Sequence, residues 1–104
     1  MRYLVLLVAL FSFSSYASWD GSTRGEVVAI EVTAESNYAF RIHLKNAPAL
    51  CGNANTWAFL NKSDSNYETY VSLLTAAKFA QAEVTVYTNQ ISNGFCKIGH
   101  ITVH

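Results

Sequence analysis

Alternating apolar and polar residues predict two strands in the first half of the chain. Residues 26–33 and 38–45 each carry apolar side chains at every second position, with the turn-forming segment 35–37 between them. Because successive side chains of a strand point to opposite faces, each run is expected to bury one face, and the pair to form a hairpin. The side chains predicted to point inward are Val28, Ile30, Val32, Tyr38, Phe40, Ile42 and Leu44.

A short aromatic strand and a helix are predicted next. A loop rich in asparagine leads to the strand, residues 56–60, and turn chemistry resumes over residues 61–65. Ser65 followed by Glu68 fits a capping box, in which both side chains bind free backbone amides at the start of a helix. The helix is therefore expected from about Asn66 to Ala80. Its predicted apolar stripe consists of Tyr67, Tyr70, Val71, Leu74 and Ala77.

Two further strands are predicted after the helix. Residues 83–87 are β-branched and alternating, and residues 95–103 form the last run. In that run Ile98 falls out of parity with Ile101 and Val103, and Gly99 stands between them. An extra residue in one strand changes the parity in this way, so a β-bulge is predicted at Gly99.

The order of three strands, one helix and two strands is that of the OB-fold, a five-stranded Greek-key barrel with one helix between strands 3 and 4. The predicted fold class is therefore mainly β, with α+β content, and residues 18–104 are expected to form a single OB-fold domain. A small α+β sandwich has the same order, as does an open five-stranded sheet with the helix across one face. Both remain alternatives.

The first residues have the organisation of a secretory signal peptide. Arg2 precedes an apolar run that ends near Phe11, and the small residues Ser15 and Ala17 precede the expected cleavage before Ser18. The run is shorter than the roughly 20 residues that cross a bilayer, which disfavours a membrane span and leaves an uncleaved anchor as the alternative. Residues 1–17 are thus predicted to be removed, and the protein to be secreted or periplasmic.

The charge balance disfavours a nucleic-acid partner, and the two cysteines predict a disulfide. Without residues 1–17 the chain has six Lys or Arg and seven Asp or Glu, with no basic patch of the kind typical of nucleic-acid binding. Cys51 and Cys96 both lie in the part predicted to be exported, where two thiols are expected to form one intramolecular disulfide. Metal ligation or a reactive thiol is disfavoured, because the chain has no Cys-x-x-Cys and no histidine within three residues of either cysteine.

The sequence has no motif that predicts catalysis, a metal site or a cofactor. Neither Gly-x-Ser-x-Gly nor His-Glu-x-x-His occurs, and the acidic residues are dispersed along the chain. A non-enzymatic protein without a cofactor is therefore expected. His43, His100 and His104 are interpreted as surface residues, because no carboxylate or cysteine stands at ligand spacing beside the last two.

Carbohydrate binding is the chemistry that the loop residues favour. Aromatic rings cover the apolar face of a sugar, and short polar side chains bind its hydroxyls. The predicted ligand-binding residues are Trp19 and Asp20 near the new N-terminus, with Tyr87 and Asn89 after the fourth strand. A second group around the third strand comprises Asn53, Asn55 and Trp57. The alternative interpretation is structural, with the aromatic residues in the core or at edges and the asparagines in turns.

Several segments resemble the B subunits of pertussis-like AB5 toxins, the class that includes the subtilase cytotoxin B subunit. They are Ala17-Ser-Trp-Asp-Gly21, Val27 with Val28, Tyr38 with Phe40, and the helix leading into Val84-Thr-Val-Tyr87. The resemblance implies a bacterial OB-fold that assembles as a homopentamer beside a toxic A subunit and binds sialic-acid-type sugars. Tyr87 matches the region at the end of strand 4 where the family has a sugar-binding tyrosine. The family's serine ahead of strand 1 is not matched, because Thr23-Arg-Gly25 stands there.

The leading hypothesis is a secreted, non-enzymatic protein that binds host-surface glycans as a homo-oligomer. The alternative is a monomeric periplasmic or secreted accessory protein that binds a protein partner through a strand edge.

Overall fold

The computed structural model describes residues 18–104, and the predicted signal peptide, residues 1–17, lies outside the described residues. The elements are β1 (Gly21–Val32), β2 (Phe40–Leu44), β3 (Trp57–Leu60), α1 (Tyr67–Ala80), β4 (Glu83–Gln90) and β5 (Cys96–Val103). The predicted order of three strands, one helix and two strands is confirmed. No helix within residues 18–104 is long and apolar enough to cross a membrane.

The five strands form one sheet that closes on itself. The first half of β1 pairs with β4 and its second half with β2, both antiparallel. From β2 the pairing continues to β3, from β3 in parallel to β5, and from β5 back to β4. The resulting order is β1-β2-β3-β5-β4, with β4 returning to β1. The length of β1, 12 residues, allows it to pair with two different strands.

The hydrophobic core fills the inside of this closed sheet and is covered by α1. The helix contributes Leu74 and Ala77, which are fully buried, and Tyr67, Tyr70 and Val71 pack against the same core. The predicted helical stripe is therefore confirmed. The core residues from the strands are Val27, Phe40, Ile42, Leu44, Ala58, Leu60, Val84, Val86, Cys96 and Ile98.

The predicted inward face of β1 is wrong for two of its three residues. Val27 is buried, whereas Val28 is 45% exposed and Val32 is 73% exposed. The register between β1 and β2 shifts between Val27 and Ala29, so Val28 is an extra residue at a bulge. The bulge changes the parity between Val27 and Ile30, so alternation alone placed Val28 in the core instead of Val27. Val32 keeps the inward parity opposite Phe40, but it is the last residue of β1 and is exposed. Ile30 packs against the core, as predicted.

Tyr38 is also placed differently from the prediction. Phe40 begins β2, and Tyr38 precedes it with a φ of 60°, in the left-handed region. Its ring packs edge-on against Phe59 and Phe95, with centroid distances of 4.8 and 5.3 Å. Phe59 is not part of the core inside the sheet, so Tyr38 lies outside the closed sheet rather than within it. The other predicted inward residues of this run are buried.

The predicted bulge in β5 is confirmed. Tyr87 pairs with His100 and Thr88 pairs with Ile98, so Gly99 is the unpaired extra residue. The bulge brings Ile98 into the core while His100 points outward.

The predicted capping box does not form. Asn66 is the N-cap residue of α1, with φ of 62°, and no side chain caps the helix. Because the helix starts one residue later than the box requires, Ser65 and Glu68 no longer occupy the two reciprocal positions. The start of α1 is instead preceded by a turn centred on Asp64. Its carboxylate accepts the Asn61 N–H at 2.7 Å, and its carbonyl accepts the Tyr67 N–H at 3.2 Å.

The predicted disulfide between Cys51 and Cys96 is present, with the two Cα atoms 5.5 Å apart. Cys51 lies in the loop before β3, and Cys96 is the first residue of β5. Both residues are fully buried. The bridge therefore joins the loop before β3 to the start of β5, 45 residues further along the chain.

Reduction of this disulfide is expected to lower the free energy of unfolding by about 4 kcal/mol, because the unfolded chain regains the entropy of a long loop. Urea denaturation monitored by circular dichroism, with and without a phosphine reductant, measures the change. The double variant Cys51→Ala/Cys96→Ala controls for effects of the reductant, to which it should be insensitive. Equal midpoints for the oxidised and reduced wild type would contradict the prediction.

Candidate functional site

The four residues predicted to bind a ligand lie together on the outer surface of the sheet. The Trp19 and Tyr87 ring centroids are 6.0 Å apart. His100, on the strand beside Tyr87, completes the group at 4.8 Å from Tyr87 and 6.4 Å from Trp19. Together with Asp20 and Asn89 these residues form what we call the Trp19 patch. Pairing of the first half of β1 with β4 carries the segment before β1 to this position.

Gly99 makes room for the Trp19 ring. A Cβ at this position would overlap the outer carbons of the indole. The β-bulge thus has two effects on the patch. It turns the His100 side chain outward, and it places Gly99, which has no side chain, against the Trp19 ring. Trp19 is accordingly half-buried rather than fully exposed.

Hydrogen bonds attach Asp20 to the end of β4. The backbone N–H of Asp20 donates to Asn89 Oδ1 at 2.9 Å. In return the Asp20 carboxylate oxygen Oδ2 accepts the backbone N–H of Gln90 at 2.8 Å. These bonds give both predicted polar residues a structural role, because they anchor the segment that carries Trp19.

Part of each polar side chain in the patch is still available. Within residues 18–104, Asp20 Oδ1 and Asn89 Nδ2 make no hydrogen bond, so the patch offers one acceptor and one amide donor beside its rings. Aromatic rings next to such groups suit the alternating apolar faces and hydroxyls of a sugar. The patch therefore has the side-chain chemistry of a shallow carbohydrate site.

The second group predicted from sequence is mainly structural. The side-chain amides of Asn53 and Asn55 both donate to Gly94 O, at 2.8 and 2.6 Å. Asn53 Oδ1 also accepts the backbone N–H of Asn55 at 3.0 Å. These bonds hold the turn before Phe95, whose ring lies 4.8 Å from that of Trp57. Trp57 therefore belongs to a different aromatic surface.

An open cleft of about 640 Å³ lies at the other end of β1. It is formed by the β1–β2 connection and the start of α1, and its lining includes Val32, Glu35, Lys62 and Tyr67. None of the residues predicted to bind a ligand lines it. The residues with the predicted ligand-binding chemistry and this cleft are thus separate.

The three histidines do not converge on a metal site. Among residues 18–104, no group of three or more His, Cys, Asp or Glu side chains could hold a metal ion. His104 Nε2 lies 2.8 Å from Thr85 Oγ1. His43 Nε2 lies 2.8 Å from Glu31 Oε1, and this hydrogen bond, followed by the charges of His43 and Arg41, lowers the pKa of Glu31 below its ordinary value.

Comparison with protein-family models, with curated proteins and with solved structures found no match.

Sequence reasoning missed two residues at this surface, His100 and Gln90. The signal for His100 was present, since a bulge at Gly99 in a β4–β5 pair brings the next residue out beside Tyr87. Gln90 could not be found from residue type, because it contributes its backbone N–H to Asp20.

Replacement of Gly99 by alanine is expected to displace the Trp19 ring, because the new Cβ would occupy the position of the indole. The cost should be about 1–3 kcal/mol of unfolding free energy. The matched control is Gly25→Ala, where a Cβ would lie in ordinary contact with Leu44, at 3.6 Å. NMR should show a shift of the Trp19 indole N–H in Gly99→Ala, with that of Trp57 unchanged. An unshifted Trp19 signal would contradict the packing described.

Proposed function

We propose that this protein is a secreted, non-enzymatic OB-fold protein that binds host-surface glycans through the Trp19 patch. The proposal includes assembly as a homo-oligomer. Binding of sialic-acid-type sugars, a pentameric ring and association with a toxic A subunit follow from the resemblance to toxin B subunits and form part of the same proposal.

The pairing of the strands supports the OB-fold assignment. The order β1-β2-β3-β5-β4, with β1 shared between β2 and β4, fits a five-stranded Greek-key barrel. The parallel pairing of β3 with β5 and the position of α1 between β3 and β4 agree with this topology. Proteins of this fold bind oligosaccharides or oligonucleotides, and the charge balance of residues 18–104 disfavours the second class.

The observation that carries the functional proposal is the convergence of three rings and two polar groups in the Trp19 patch. The centroids of the Trp19, Tyr87 and His100 rings lie 4.8 to 6.4 Å from one another, so one sugar ring placed on this surface would contact more than one aromatic side chain. Asp20 Oδ1 and Asn89 Nδ2 stand at its side to bind hydroxyls. Both are held by backbone contacts, which reduces the conformational entropy lost on binding.

Replacement of Tyr87 by alanine is expected to weaken binding of a glycan at least tenfold, which corresponds to about 1.4 kcal/mol. An array of mammalian glycans identifies a ligand, and titration calorimetry with the free monovalent oligosaccharide then measures the affinity of each variant. Tyr87→Phe keeps the ring and should retain most of the affinity. Phe79→Ala is the matched control, because Phe79 is an aromatic residue on α1 that is 79% exposed.

Unchanged affinity of Tyr87→Ala for a glycan that the wild type binds would remove the Trp19 patch from the binding site. A change of equal size in Phe79→Ala would indicate a general loss of structure, and melting temperatures of both variants test for this.

A second candidate function is docking of a protein partner on a strand edge. Residues 27–32 of β1 pair only with β2, and β5 contacts β3 only through Cys96 and Lys97. Each strand therefore has a segment with one partner strand, and such edges can accept another strand. Val28 and Val32 are exposed on the β1 segment.

Light scattering coupled to size-exclusion chromatography is expected to give a mass several times that of one chain if the leading proposal holds. A monomer without any signal on the glycan array would contradict the leading proposal and favour the strand-edge function. The same column run with Val32→Lys tests whether the β1 edge contributes to assembly, because a charge there opposes strand pairing.

A further inference from the structure

A second aromatic surface lies outside the closed sheet, on β2, β3 and the start of β5. Phe59 points away from the core inside the sheet and is nevertheless fully buried. Its ring is covered by Tyr38 at 4.8 Å, and Trp57 lies next to it at 6.3 Å. Phe95 joins Tyr38 and Trp57 at 5.3 and 4.8 Å. These four residues with Arg41 form what we call the Trp57 platform.

Tyr38 takes a backbone conformation that is unfavourable for a bulky residue. Its φ of 60° is in the left-handed region, which side chains of this size rarely adopt. The Asn61 side chain accepts its N–H at 2.8 Å, and two ring contacts hold its side chain. Strained residues that are held by several contacts cluster at binding sites. In this conformation its carbonyl oxygen accepts a hydrogen bond from Arg41.

Arg41 is fixed on this surface by two contacts. Its Nε–H donates to Tyr38 O at 2.7 Å, and its guanidinium carbon lies 4.6 Å from the centroid of the Trp57 ring. Within residues 18–104 it makes no ion pair and no other hydrogen bond. The two terminal Nη groups are therefore available, and the planar group is already oriented.

The other charged residues beside Arg41 are paired with one another. Glu31, opposite Arg41 on β1, lies 2.8 Å from His43 Nε2. Lys97, opposite Phe59 on β5, bonds the Asp64 carboxylate at 2.8 Å. Among these groups Arg41 alone makes no ion pair, although its charge contributes to the lowered pKa of Glu31. The surface thus presents one oriented positive charge next to half-buried aromatic rings.

We propose that the Trp57 platform binds a carboxylate-bearing pyranose, such as a uronic-acid unit of an acidic glycan. A guanidinium that is fixed in one plane binds a carboxylate through two parallel hydrogen bonds, and Trp57 with Phe95 supplies apolar surface for the sugar ring. The exposed amide of Asn93, 3.4 Å from the Tyr38 hydroxyl, lies beside the platform and can bind sugar hydroxyls. This site does not depend on the Trp19 patch.

A single available arginine disfavours a nucleic acid as the ligand. Binding of a phosphate backbone requires several positive charges along its path, and Lys97, opposite Phe59 on β5, is paired with Asp64. A sugar unit with a single carboxylate, by contrast, requires only one guanidinium to pair with its charge.

The test uses trigalacturonate as the probe and its methyl ester as the uncharged counterpart with the same rings. Calorimetry with the purified protein should show binding of the acid that is at least tenfold tighter than that of the ester. NMR should show that the acid shifts the signals of Arg41 Nε–H and the Trp57 indole. Equal affinities for acid and ester, or no binding of the acid, would overturn the proposal.

Three arginine variants distinguish the effects that charge, hydrogen-bond geometry and correct folding have on binding of trigalacturonate. Arg41→Gln should weaken binding of trigalacturonate at least tenfold, and Arg41→Lys should show an intermediate loss, because lysine keeps the charge without the planar fork. Arg24→Gln is the matched control, since Arg24 is an exposed arginine already paired with Glu83 at 2.8 Å. Affinity of Arg41→Gln within twofold of the wild type would overturn the proposal. If Arg41→Gln fails to fold, Arg41→Lys and the NMR shifts of the wild type decide.

Two further arms distinguish other ligands and the other site. If a heparin-derived tetrasaccharide binds more tightly than trigalacturonate, the ligand group that Arg41 prefers is a sulfate rather than a carboxylate. If a decathymidylate binds more tightly, the preferred group is a phosphate. Either result would overturn the carboxylate assignment. Tyr87→Ala should leave trigalacturonate binding unchanged. A loss in Tyr87→Ala with none in Arg41→Gln would place the acidic sugar at the Trp19 patch and overturn this inference alone.

Discussion

The attachment of the loop before β3 to the ends of β4 and β5 is the constraint on which most of the structure depends. The disulfide fixes Cys51 to Cys96, at the first residue of β5. Next to it the Thr88 hydroxyl donates to Leu50 O, and the Gln90 side-chain amide donates to Cys51 O at 2.8 Å. Because Leu50 and Cys51 are buried without belonging to a strand, their carbonyl groups need such partners. A small sheet is thereby closed around a core that would be marginal by its size alone.

Both aromatic surfaces begin at this attachment. Gly21, the first residue of β1, lies so close to the Leu50 backbone that a Cβ would overlap it, which determines the path of the two residues before it. On the other side, Phe95 directly precedes Cys96 and packs against Trp57. The disulfide therefore stabilises the segments that carry both the Trp19 patch and the Trp57 platform. It contacts the ligand in neither proposed site.

Hydrogen bonding divides the surface polar residues into those that hold the chain and those that remain available. Asn53 and Asn55 share one carbonyl acceptor and serve the loop. The hydrogen bonds of Asp20 and Asn89 join the segment before β1 to the end of β4. Within residues 18–104, each of the two side chains keeps one polar atom without a hydrogen bond. Arg41 is held through Nε, which leaves the rest of its guanidinium available. Groups that are both oriented and available lose little entropy on binding, and this property links the two proposed sites.

The sequence by itself determined the order of the elements, the buried stripe of α1, the bulge at Gly99 and the disulfide, because periodicity is local and two cysteines allow one pairing. It also named four residues of the Trp19 patch by type. Only the tertiary structure decided that Val27 rather than Val28 is buried in β1, since the bulge at Val28 changes the parity between Val27 and Ile30. The outward position of Tyr38 depends on its left-handed backbone, and the contact of His100 with Trp19 depends on strand pairing across the chain. Such features arise from non-local contacts, which alternation along one strand does not encode.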